Sequence, residues 1–189
     1  MIELRFHSRG GQGGVFAGKL LAVAALRENR SVQAFPTSGV ERRTAPVMAF
    51  VRMDDKPIRI RSGIYIPDHV VVLDQSLLPL LDVTQGLKPG GTILINSEKA
   101  PEYFKFGEDF RVVTVDVSTI AVRNGLGSVK QPIVSTAIIG AVAKVLKLVT
   151  IESVLKAIEE EVHIRTAANL KAARETYEAA EEWEESSKV

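Results

Sequence analysis

Ile2-Glu3-Leu4-Arg5-Phe6 runs directly into His7-Ser8-Arg9-Gly10-Gly11-Gln12-Gly13-Gly14, and an apolar segment with helical spacing begins at Val15. The first run, residues 2–6, has the length and composition of a strand. The second carries glycine at Gly10, Gly11, Gly13 and Gly14. Glycine adopts positive φ at little cost and has no side chain to hold a ligand away from the backbone. A glycine-rich turn between a strand and a helix therefore predicts a tight loop open to close approach. The unpaired N–H groups and positive dipole end of the helix make an anion the default guest.

Outward from this unit, the pattern alternates strands with helices. Ala17, Leu20, Leu21 and Ala24 share one face of a helix predicted over residues 15–28. A strand over 31–35 is stopped by Pro36, and residues 37–46 read as a loop. Residues 47–53 read as a strand, and Asp54-Asp55-Lys56-Pro57 as a hairpin turn into a second arm at 58–61. His69-Val70-Val71-Val72-Leu73 is apolar on both alternating faces, as in a parallel strand buried on both sides. Asp74 ends it, and Leu77, Leu78, Leu80 and Leu81 suggest a short helix. Further strands are expected over 92–95 and 112–115.

The remainder reads as helical. Helices are expected over 118–124, with Gly125 in the C′ position, over 134–146, over 151–162 with Thr150 as N-cap, and from 166 to about 183. The fold class expected is α/β, Rossmann-like: a mostly parallel sheet with a β-hairpin insertion around 47–61 and a helical C-terminus, in a single domain spanning 1–189. Such sheets bind ligands beyond the carboxyl ends of their strands. The glycine loop, the 36–46 loop and Asp74 all follow strands, so all three are expected on that edge.

Composition removes several alternatives. Lys plus Arg is 24 and Asp plus Glu is 23, a net charge of +1, which lacks the basic excess of a nucleic-acid binder. There is no cysteine, so this chain has no disulfide, no thiolate nucleophile and no Cys-ligated iron–sulfur cluster. No apolar run reaches the ~18 residues of a membrane span, and no signal peptide is recognisable. A cytoplasmic protein without a membrane partner is expected. Glu175, Glu178, Glu181, Glu182, Glu184 and Glu185 read as a solvated helix face.

The glycine loop departs from known phosphate motifs. The dinucleotide fingerprint can be laid on Gly11 and Gly13, but its third small position is Phe16, and strand 31–35 offers no acid for a ribose. No Gly-Lys-Ser/Thr follows, so it is not a P-loop. Arg9, at the mouth of the loop, can pair with a phosphate or a carboxylate. Glu41-Arg42-Arg43, held between Gly39 and Pro46, forms a second cluster suited to anions or partner carboxylates. Asp74 reads as a helix cap. His7, His69 and His163 have no spacing suited to metal and are expected to be structural or exposed. No catalytic triad, paired carboxylates or thiamine diphosphate motif stands out, so the chain alone does not read as a complete enzyme.

Taken together these residues resemble a known family. Ile2 through Gly13, Gln33-Ala34-Phe35-Pro36, Gly39-Val40-Glu41-Arg42-Arg43, Ala45-Pro46-Val47, Ala49-Phe50, Pro57-Ile58-Arg59, Arg61-Ser62, Ile64-Tyr65, Pro67-Asp68, Thr136-Ala137 and Gly140-Ala141 are similar to the gamma subunit of 2-oxoacid:ferredoxin oxidoreductases of the pyruvate/2-oxoisovalerate type. Ser8, Thr44 and Ser135 stand where that pattern commonly has glycine, glycine and asparagine. The resemblance implies a subunit of a complex that oxidatively decarboxylates a 2-oxoacid to acyl-CoA and reduces ferredoxin. It implies alpha, beta and ferredoxin-like delta partners, and puts thiamine diphosphate, Mg and the iron–sulfur clusters on those chains rather than on this one. Coenzyme A enters as substrate. Arg9, Gly10, Gly11, Gln12, Gly13 and Gly14 are the residues expected at a cofactor or coenzyme A, with Glu41, Arg42 and Arg43 as a partner or active-site loop. Two alternatives stay open: a free-standing nucleotide binder and a pure assembly scaffold.

Overall fold

A computed structural model of the protein describes residues 1–37 and 44–186, with side chains through Ala180. Six strands form one sheet: β1 (Ile2–Arg9), β2 (Ser31–Pro36), β3 (Pro46–Asp54), β4 (His69–Val72), β5 (Thr92–Asn96) and β6 (Arg111–Val115), in the spatial order β2-β3-β1-β4-β5-β6. Strand β1 pairs parallel with β4, and β4, β5 and β6 continue in parallel. Only β3 runs the other way, antiparallel to both β1 and β2. The chain winds from β1 towards β2 and β3 on one side and places β4 on the other. The carboxyl ends of β1 and β4 therefore flank the point where the winding reverses, the usual crevice of an open α/β sheet.

Helices cover one face of the sheet: α1 (Gly14–Arg27), α2 (Val117–Arg123), α3 (Ala137–Leu146), α4 (Ile151–Glu161) and α5 (Thr166–Ser186). Leu4 and Phe6 of β1, Val51 of β3 and Val71 of β4 point to this side and pack with Leu20, Leu21, Ile138, Val142, Val154 and Ile158. Helix ends are closed locally. Asp116 accepts from the Thr119 N–H at 2.9 Å, and Thr150 accepts from Ser153 N–H at 3.2 Å. The Glu28 carboxylate reaches across to the Thr150 N–H at 2.7 Å, tying the end of α1 to the start of α4. Gly140 of α3 lies against the backbone of α5, where a Cβ would come within 2.9 Å of the Ala173 carbonyl carbon.

Among the described residues the other face carries no α-helix. Val70, Val72, Ile93 and Ile95 are covered by Val83, Leu87, Phe104, Phe106 and Phe110 from the segments that follow β4 and β5. On this same face lie Arg5, His7 and Arg52, at 6, 3 and 1% exposure. Arg5 donates to the Val83 and Gln85 carbonyls at 3.0 and 2.7 Å. Arg52 donates to Glu3 at 2.6 Å and to the Gly63 carbonyl at 3.0 Å.

Three details differ from the sequence expectations. Residues 58–61 form no strand and are largely exposed; the antiparallel partner of residues 47–53 is β2, so the hairpin arms are β2 and β3. The apolar Ile58 and Ile60 mimic a strand period but find no ladder. After Asp74 the chain makes only a 3₁₀ turn, Gln75–Leu77, before further turns. Pro79 supplies no N–H and disfavours helix in the residue before it. A two-stranded hairpin, β7 (Gly127–Ser128) with β8 (Gln131–Pro132), follows α2 and has no counterpart among the expected elements. Among the described residues no helix is long and apolar enough to cross a membrane.

Candidate functional site

The glycine loop is fixed by its own backbone and by one glutamine. Gln12 N–H donates to the Arg9 carbonyl at 3.0 Å, closing a turn in which Gly11 has φ 93°, as in a type II turn. The Gln12 side chain folds back, its Oε1 accepting the Arg9 N–H at 2.7 Å. Gly10 exchanges hydrogen bonds with the neighbouring segment, N–H to the Ala45 carbonyl at 2.8 Å and carbonyl from the Thr44 N–H at 3.0 Å. Gly13 takes φ 78° to start α1, and a Cβ there would lie 2.8 Å from Ser135 Cβ. Gly14 is pressed just as closely on Ser8 of β1. The close helix–strand approach that Phe16 forbids is supplied two residues earlier. The N–H groups of Gly11, Gly13 and Gly14 find no acceptor among the described residues.

Asp74, at the end of β4, is the hub of the crevice. Its Oδ1 accepts from Ser76 N–H at 2.9 Å and Ser76 Oγ at 2.6 Å, capping the turn as expected from sequence. Its Oδ2 accepts from Gln12 Nε2 at 2.7 Å and faces Arg9 Nε at 3.3 Å. Partial burial opposes ionisation of this carboxyl, but the hydrogen bonds from Ser76 and Gln12 and the Arg9 charge outweigh it, holding the pKa below the ordinary carboxylate range. All three guanidinium nitrogens of Arg9 are engaged: Nε and Nη2 donate to Ser76 Oγ at 3.1 and 2.9 Å, and Nη1 donates to the Thr44 carbonyl at 3.0 Å. One network thus bolts the loop after β1 to the turn after β4.

Above the network opens a cleft of about 780 Å³, bounded on one side by Arg9, Gly10, Gly11 and Gln12 and on the other by Ser128, Lys130 and Gln131 of the β7–β8 hairpin. A pocket of about 210 Å³ adjoins it over the ends of β4 and β5, with Asn96 and Ser118 in its wall. Arg9, Gly10, Gly11 and Gln12 therefore come together at one cleft wall, while Gly13 and Gly14 turn towards a shallower pocket beside Phe16 and Lys19. Glu41, Arg42 and Arg43 lie outside the described residues; Thr44, next to them, lines the cleft. Sequence reading misses the hairpin wall. Its signal is present in Gly125-Leu126-Gly127 followed by Pro132, with positive φ at both glycines.

The histidines take no part in this site. His7 is buried beneath the loop-covered face with both ring nitrogens unpartnered, and burial, reinforced by the Arg5 charge, lowers its pKa to about 4. Among the described residues no three His, Asp or Glu side chains gather as metal ligands. The sheet order also separates the loop from any ribose acid: β3 stands between β1 and β2, so the end of β2 is not adjacent to the glycine loop.

Residues 3–179 match the family described as pyruvate ferredoxin/flavodoxin oxidoreductase. The pyruvate/ketoisovalerate oxidoreductases common subunit gamma of Thermococcus litoralis is 52% identical over 182 residues, 94% of this chain and 96% of that one. Pyruvate synthase subunit PorC of Methanothermobacter thermautotrophicus is 47% identical over 182 residues, 96% of this chain and 97% of that one. The crystal structure of the pyruvate oxidoreductase subunit PORC of Thermotoga maritima superposes with a TM-score of 0.79 at 35% identity, covering 94% of this chain and 96% of that one. The fold, the glycine loop and these likenesses agree: the chain belongs to the pyruvate ferredoxin/flavodoxin oxidoreductase family, among its gamma-type subunits.

Proposed function

We propose that this chain serves as the gamma subunit of an oxidoreductase that converts pyruvate or a related 2-oxoacid to acyl-CoA with reduction of ferredoxin, and that its glycine loop forms the wall against which coenzyme A is received. The observation that carries the second half is the preformed cleft at the ends of β1 and β4, with Gly11, whose N–H is unpaired, in its wall and Gly13 and Gly14 lining the pocket next to it. Backbone donors at a helix start suit the phosphates of such a substrate. Arg9 positions the loop, and Gln12 sets its distance from Asp74.

The redox and thiamine cofactors of the complex do not fit this chain. It has no cysteine for an iron–sulfur cluster, and its described residues bring no donor group together for a metal. Those groups belong to the alpha, beta and delta partners, in the cytoplasm, and this chain contributes no step through them. A free-standing dinucleotide binder is disfavoured by the interposed β3 and by Phe16.

The test uses the assembled complex. Gly13→Val forces a side chain into a left-handed position against Ser135 and distorts the loop. The expected result is a KM for coenzyme A raised about tenfold, with the KM for pyruvate and the subunit composition unchanged. An unchanged coenzyme A KM in an intact complex rules out the loop as a coenzyme A wall. Loss of subunits with unchanged kinetics in the residual complex, in this variant or in Arg9→Ala and Arg42→Ala, assigns it to assembly instead.

A further inference from the structure

Among the described residues two cations line the 780 Å³ cleft, Arg9 and Lys130, and they are not equivalent. The Arg9 guanidinium is consumed within the protein by Ser76, the Thr44 carbonyl and Asp74. Lys130 has no hydrogen bond or ion pair with any described residue. It stands with Val129 in the two-residue connection between β7 and β8, held out from the body of the protein by a short ladder and by Gln131 N–H donating to Ser128 Oγ at 3.3 Å.

Its place is informative in a second way. Lys130 lines both the large cleft and the 210 Å³ pocket over β4 and β5, so it sits at the junction of the two. Asp74 faces the same junction but is already compensated by Arg9, Gln12 and Ser76. An ammonium with no partner among the described residues, in a concave site whose opposite wall holds the unpaired Gly11 N–H, gives that junction a positive potential. An exposed lysine on a convex surface has no such focus.

We infer that Lys130, rather than Arg9, is the side chain that takes a phosphate of the substrate entering this cleft, and that Arg9 is a positioning residue. The inference rests on the coenzyme A reading above. It makes the β7–β8 hairpin a second wall of the site, so that the phosphate is held between a point charge on one side and the Gly11 N–H on the other.

The experiment measures KM for coenzyme A and for pyruvate in the assembled complex carrying Lys130→Ala, Lys130→Arg or Lys130→Glu, at low and high salt. Removing one charge-assisted hydrogen bond to a bound phosphate corresponds to about a tenfold rise in the coenzyme A KM. That rise is expected in Lys130→Ala with kcat and pyruvate KM unchanged, a larger one in Lys130→Glu, and near-normal values in Lys130→Arg. The salt dependence of the coenzyme A KM should flatten in Lys130→Ala. If Lys130→Ala leaves the coenzyme A KM and its salt dependence unchanged while Gly13→Val raises that KM, the assignment to Lys130 is wrong and the loop reading stands. If neither variant moves it, both fall together.

Discussion

The two faces of the sheet are built on different physics. On the helical side, Leu4, Phe6, Val51 and Val71 join one large apolar cluster, and α3 and α5 approach so closely that Gly140 faces bare backbone. On the loop-covered side the same strands bury Arg5, His7 and Arg52; Arg5 Nη2 and Arg52 Nη2 donate to carbonyls of overlying loops, while Arg5 Nε and both His7 ring nitrogens find no partner among the described residues. Burial on the first side is mainly a matter of shape, whereas on the second the buried arginines depend on particular partners. The loops that cover the second side are therefore held by polar anchors. The turn after β4 that carries Asp74 leads into one of them.

The contrast can be broken by substitution. Arg52→Met leaves Glu3 without its buried partner and should cost about 4 kcal/mol in urea unfolding, with part of the loss recovered in Glu3→Gln/Arg52→Met. A cost near zero would mean the loop-covered face does not depend on its charges. His7 comes next. Its folded pKa of about 4 lies below the ordinary 6.5, so folding favours the neutral ring. The corresponding stability is complete above pH ~6.5 and is lost as pH falls towards 4, to a total of about 3 kcal/mol. His7→Leu should flatten that fall, measured as the urea midpoint at pH 7.5 and 4.5, and should not weaken the protein at neutral pH, since it removes two unpaired ring nitrogens. The smallest effect tests the other face: Gly140→Ala pushes a methyl against the Ala173 carbonyl and should cost about 2 kcal/mol by melting temperature. If this exceeds the Arg52 effect, the helical face is the more exacting of the two.

The legible parts of the sequence are those with local causes. The strand–glycine loop–helix unit, the double-sided apolar run of β4, the Thr150 cap and the Gly125 stop follow from residues within a few positions of one another. What escapes depends on distant partners. Nothing near residues 47–53 tells that β3 pairs with β1 and β2 rather than with residues 58–61. The four leucines after Asp74 look helical because Pro79 weighs less in a periodicity than in a backbone. At the site, Gly10, Gly11 and Gln12 are legible as a loop, and Asp74 as a cap. That Asp74 also holds Gln12 and Arg9, more than sixty residues away, is a tertiary fact. So is the use of Arg9 as a strut, which leaves Lys130 as the unpaired cation of the cleft among the described residues.

The position of β1 has a consequence for how the molecule is made. This strand is central, yet both of its neighbours, Pro46–Asp54 and His69–Val72, are synthesised well after it. The glycine loop cannot be bolted until Asp74 has left the ribosome and found Gln12. During translation Leu4 and Phe6 wait as unpaired apolar residues, the state in which chains stick to one another or to chaperones. A nascent chain stalled with residues 1–60 exposed should therefore be protease-sensitive through Arg9, and one stalled beyond residue 100 protected there.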